Sequence, residues 1–115
     1  MNTSAIIIEV GLDEKKVPES IKWKASDTSA DDGQDAKAMM VSFWNGQEKT
    51  AMRIDLWTKD MMVDEMADFF YQTMITLADT YGRATHYHDL VSEMKNFAQD
   101  FYQKSREKQM QDQKA

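Results

Sequence analysis

The sequence predicts an α+β domain in the order ββββαα: a four-stranded antiparallel sheet followed by two C-terminal helices packed on one of its faces. Three observations predict it. Four short segments in the first half alternate apolar and polar residues at period two, and Asn45-Gly46 stands between two of them as a favoured hairpin turn. Beyond Lys59-Asp60 the apolar spacing changes to steps of three and four, the signature of amphipathic helices.

The first strand is read from Ile6, Ile8, Val10 and Leu12, which alternate with Ile7, Glu9 and Gly11. Asp13 to Ser20 read as a connection, and Ile21, Trp23 and Ala25 alternate with Lys22 and Lys24 as a second strand. Residues 26–37 are polar, acidic and almost free of large side chains, so they are expected to form a mobile loop. The hairpin that follows has a fixed parity. A turn of two or four residues at Asn45-Gly46 puts Met39, Val41 and Phe43 on one face with Met52, Ile54 and Leu56, the expected core face. Ala38, Met40, Ser42 and Trp44 then share the opposite face with Ala51, Arg53, Asp55 and Trp57.

The first helix follows from Val63, Met66, Phe70, Met74, Leu77 and Tyr81, with Asp64 and Glu65 suited to its first turn and Gly82 to its end. A second helix, from Thr85 or His88, continues through Leu90, Met94, Phe97, Ala98 and Phe101. These elements make one domain over residues 1–102. Apolar spacing is lost from Gln103 to Ala115, which are expected to be a frayed or disordered tail.

Composition narrows the function. The chain has 115 residues, no cysteine and a net charge of −6, which rules out disulfides and thiolate metal sites and opposes binding to nucleic acid or anionic lipid. No apolar run approaches the roughly 20 residues of a membrane-spanning helix, so direct membrane insertion is not expected. Ala5-Ile6-Ile7-Ile8 is a poor secretory signal, because no basic residue precedes it and Glu9 interrupts it. The expected location is the cytoplasm.

With the helices on one face of the sheet, the other face would expose Ile7, Met40, Trp44 and Trp57 among Glu9, Lys22, Lys24, Arg53 and Asp55. Met40, Trp44, Arg53, Asp55 and Trp57 are therefore the candidate partner-binding residues, since tryptophan and arginine concentrate at binding hot spots. A structural reading stands beside it: the tryptophans cap the ends of the core, and Arg53 and Asp55 form an ordinary cross-strand charge arrangement. Most methionines fall on core faces, which leaves Met40, Met61 and Met62 for a surface role. Phe69, Tyr71 and Ile75 lie off the main stripe of the first helix and suit a homodimer seam.

Catalysis, metals and cofactors find no support. His86, His88, Asp89 and Glu93 are the best titratable cluster, but residues two apart do not share a helix face, and no nucleophile or phosphate-binding glycine loop accompanies them. Asp31, Asp32, Gly33 and Asp35 fail as a calcium loop, because setting Gly33 sixth puts Thr28 first, Ala30 third and Met39 twelfth.

The stretch Arg53-Ile54-Asp55-Leu56-Trp57-Thr58-Lys59-Asp60-Met61, with Val63-Asp64-Glu65-Met66, Phe69-Phe70, Gln72-Thr73, Ala78-Asp79-Thr80 and Arg83-Ala84-Thr85, resembles the gliding-motility-associated GldC family of Bacteroidetes. Val17-Pro18-Glu19, Ile21 and Trp23 resemble its first hairpin, while the acidic loop and the tail contribute nothing to the match. The resemblance implies a small, non-enzymatic accessory component of the gliding machinery linked to type IX secretion. Its partner would be a protein of that machinery, such as a lipoprotein-associated complex. A cytoplasmic secretion-associated chaperone is the alternative, and a small-molecule enzyme a distant third.

Overall fold

The computed structural model describes residues 2–26, 30 and 32–114. Five strands and two helices follow in the order β1 (Ile6–Leu12), β2 (Pro18–Ala25), β3 (Gln34–Ala36), β4 (Ala38–Asn45), β5 (Thr50–Trp57), α1 (Val63–Thr85) and α2 (His88–Lys114). The α+β class and the two C-terminal helices agree with the sequence reading; the single four-stranded sheet does not. The strands form a three-stranded antiparallel sheet, β1-β2-β3, and a two-stranded one, β4-β5.

The difference has a local cause at Lys37. The carbonyl of Lys37 accepts the Thr58 backbone N–H at 2.7 Å and the Thr58 hydroxyl at 3.0 Å, so this peptide is tied to the end of β5. On its N-terminal side Gln34–Ala36 pair with Trp23–Ile21 of β2, and on its C-terminal side β4 pairs with β5 along its whole length. One extended segment thus serves two sheets. Gln34–Ala36 had been expected in the mobile acidic loop; residues 27–29 and 31 of that loop, with Thr28 and Asp31 of the calcium test, lie outside the described residues.

Asp13 organises the β1–β2 connection by accepting the backbone N–H groups of Lys15 and Val17 at 2.8 and 2.9 Å. Lys59, two residues beyond β5, donates to Asp13 at 3.1 Å and lies 3.5 Å from Glu19, while its backbone N–H bonds the Pro18 carbonyl. The segment Thr58-Lys59-Asp60 therefore clamps the end of β5 to Lys37 and to the β1–β2 turn. Thr58 is 2% exposed, and its hydroxyl also bonds the Asp60 carboxylate.

The β4–β5 register is Ala38↔Trp57 through Trp44↔Ala51, with Met39, Val41 and Phe43 opposite Leu56, Ile54 and Met52, which is the parity read from the sequence. The loop is four residues, Gly46–Lys49. Asn45 holds it: its side-chain oxygen accepts from Gln47 and Glu48, its carbonyl accepts Lys49 N–H, and Lys49 takes a left-handed φ of 55°.

The chain divides into two units, residues 1–61 and 62–115. In the second, α1 and α2 form an antiparallel hairpin through His86-Tyr87. His86, with φ 64°, supplies the left-handed residue that ends α1, and its N–H bonds Gly82 O at 2.8 Å. Gly82 had been assigned that role. It is instead buried inside the helix, where an added Cβ would sit 2.9 Å from Val91 Cγ2, so glycine permits the close approach of α2. Ala78 and Ala98 are likewise buried, Tyr71 stacks on Tyr102 at 4.7 Å, and Lys95 pairs with Asp79 at 2.7 Å. The α2 helix runs on through Gln103–Lys114, the stretch expected to fray or be disordered.

Candidate partner-binding face

The five candidate residues lie on one face of β4–β5. Met40 is paired with Asp55 and Trp44 with Ala51; Arg53 stands opposite Ser42, and Trp57 opposite Ala38. Trp44 and Trp57 are 68% and 58% exposed. They do not touch: three two-residue steps of the ladder separate them, roughly 20 Å along the strands. Arg53 and Asp55 occupy the space between. They are two residues apart on β5, so theirs is a same-strand pair and not a cross-strand one. Nε and a terminal guanidinium nitrogen of Arg53 donate to the two carboxylate oxygens at 3.1 and 2.9 Å. Asp55 raises the pKa of Arg53 through these bonds, and the two side chains hold one another in a planar fork.

The surroundings of this face differ from the expectation. Ile7, Glu9, Lys22 and Lys24 were expected beside the tryptophans, but the β1–β2 register pairs Ile7 with Lys24 and Glu9 with Lys22 on the face opposite to Ile8, Ile21 and Trp23. An apolar hollow of about 220 Å³ brings Ile6, Ile8, Ile21, Trp23 and Ala36 together with the Ala38–Met40 segment. Met40 therefore belongs to the wall of a hydrophobic hollow, with Trp23 as a third tryptophan beside the candidate set. Sequence reasoning missed this because the face shared between the two sheets depends on the bend at Lys37, which no period-two count reports. The signal available was the even-numbered run Ala36, Ala38, Met40.

The other face of the hairpin, expected to be core, is graded. Met39, Val41 and Leu56 are half-buried, while Phe43, Met52 and Ile54 are 61%, 61% and 51% exposed. Burial falls with distance from the bend.

Other polar sites are spoken for. His86 and His88 have ring centroids 6.4 Å apart, one in the interhelical turn and one at the start of α2. Among the described residues no three His, Asp or Glu side chains are grouped to hold a metal ion, and no buried side-chain polar atom lacks a partner. A cleft of about 600 Å³ runs between the start of α1 and the end of α2, lined by Met62, Asp64, Asp68, Tyr102 and Arg106 among others. Arg106 lies over the Tyr102 ring at 5.7 Å and donates to its hydroxyl at 3.2 Å, a hydrogen bond that raises the Arg106 pKa.

Residues 18–107 match the family model described as "Gliding motility-associated protein GldC-like". The chain belongs to this GldC-like family. The matched range opens at β2, passes through the acidic segment and ends inside α2, so it includes residues that had carried no resemblance. The family's description associates it with gliding motility. Neither the curated proteins nor the solved structures contain a match to the chain. Among the described residues no helix is long and apolar enough to cross a membrane.

Proposed function

We propose that this GldC-like chain is a non-enzymatic accessory protein of the gliding machinery linked to type IX secretion, acting in the cytoplasm. Its role is to bind a protein component of that machinery through Met40, Trp44, Arg53, Asp55 and Trp57. One observation carries the binding reading: two widely exposed tryptophans share a strand face with an arginine whose fork is already fixed. Ordering a long side chain on binding costs roughly 0.5–1.5 kcal/mol, and Asp55 has met part of that cost for Arg53 in advance. The adjoining hollow offers a seat for an apolar anchor from the partner.

Affinity capture from gliding cells tests this reading. The wild-type chain retains a component of the motility apparatus, and Trp44→Ala plus Trp57→Ala loses it while the circular dichroism spectrum is unchanged. Retention of every wild-type partner by the folded double variant contradicts the reading. A second reading, a secretion-associated chaperone, draws support from the exposure of Phe43, Met52 and Ile54 on the other face. A chaperone binds an unfolded segment and releases it, whereas an adaptor stays on a folded component.

A further inference from the structure

The helical unit carries a second surface, on different residues from the sheet face. The contact between α1 and α2 sets Tyr71 on Tyr102, Phe70 near Phe101 at a ring separation of 6.5 Å and Gly82 against Val91, and Ala78 and Ala98 are buried. Tyr71, expected in a homodimer seam, is thus occupied within the hairpin. Larger apolar residues nearby remain more open: Leu77 is 54% exposed and Phe97 64%, and Tyr81, Leu90 and Met94 are also exposed. Met74, Leu77, Met94 and Phe97, with Glu93 at the edge, line an apolar groove that spans both helices. The exposed parts of these side chains amount to roughly 500 Å² per copy, so two copies face to face would bury about 1,000 Å², the lower bound of a specific interface.

Charge identifies the occupant. Along the Phe97 side of α2 the residues at steps of three and four read Glu93, Phe97, Asp100, Lys104, Lys108: acids first, bases second. The helix as a whole has the same polarity. Its first half holds Asp89, Glu93 and Asp100 against Lys95, and its second half holds Lys104, Arg106, Lys108 and Lys114 against Glu107 and Asp112. A helix acidic at one end and basic at the other complements an antiparallel copy of itself, as a two-fold axis requires. Asp100 and Lys104 already pair along the helix at 2.9 Å, but both side chains are largely exposed, so this contact is weak enough to be exchanged.

We infer that the outer face of the α1–α2 hairpin binds the same face of a second copy of this chain, with the two α2 helices antiparallel, giving a four-helix arrangement. Light scattering on the full chain across a concentration series tests it, with two charge variants as the decisive arms. Glu93→Lys plus Asp100→Lys makes the Phe97 side of α2 basic along its length, and Lys104→Glu plus Lys108→Glu makes that side acidic. Each variant alone is expected to lose at least tenfold in self-association, and an equimolar mixture of the two to recover a dimer. Leu77→Glu plus Phe97→Glu is expected to be monomeric with unchanged helix content. A wild-type monomer at every concentration, a dimer indifferent to Leu77→Glu plus Phe97→Glu, or variants that do not recover on mixing would each overturn the inference.

Discussion

Thr58 holds the bend between the two sheets, because its N–H and its hydroxyl both reach the Lys37 carbonyl and no water can replace them at 2% exposure. Thr58→Val keeps the shape and removes the hydroxyl. It is expected to cost about 1–2 kcal/mol, read as a lower urea midpoint with an unchanged slope. The charged neighbours add a pH dependence. Asp13 has a lowered pKa, first through the Val17 N–H and then through Lys59, and Asp60 through the Thr58 hydroxyl. A carboxyl group lowered in the folded state stabilises fully above its unfolded value, and that contribution is lost as pH falls through the folded one. The urea midpoint is therefore expected to decline below about pH 4, the unfolded carboxylate range. Asp13→Asn plus Asp60→Asn should start lower at neutral pH and show a shallower acid limb. Lys59 is raised, chiefly by Asp13, so its contribution is present below the unfolded lysine pKa and lost at higher pH, as the alkaline limb would show.

Among the elements, the helical hairpin depends on the absence of a side chain at Gly82. Gly82→Val puts three carbons where Val91 Cγ2 already lies 2.9 Å from an added Cβ. Overpacking of this kind is expected to cost about 2 kcal/mol, measured by thermal melting followed at the helical signal. The elements also show what the sequence could and could not report. The β4–β5 parity was legible, because Asn45 turns of two or four residues give the same faces, and the observed four-residue loop keeps them. The helices were legible from their apolar stripe, but the stripe did not say which side meets the partner helix. Small residues at Ala78, Gly82 and Ala98 took that place, since they allow the closest approach, and left Leu77 and Phe97 outside. The division of the strands was not legible, because it rests on hydrogen bonds between Lys37 and Thr58, 21 residues apart. The segment Thr58-Lys59-Asp60 thus has a structural role that its sequence does not announce.

At the scale of the molecule, membership of the GldC-like family joins a gliding-motility association to a chain whose exposed tryptophans lie on one strand face. The family match supplies the setting; the strand register supplies the surface. That surface makes a directional demand, since Trp57 and Ile54 are both exposed on β5 yet lie on opposite faces. A photo-crosslinking amino acid placed at Trp57, and separately at Ile54, in gliding cells compares the two faces under identical conditions. Position 57 is expected to join the chain to a protein of the motility apparatus and position 54 is not; crosslinking of that same protein from position 54 alone would contradict binding through the tryptophan face.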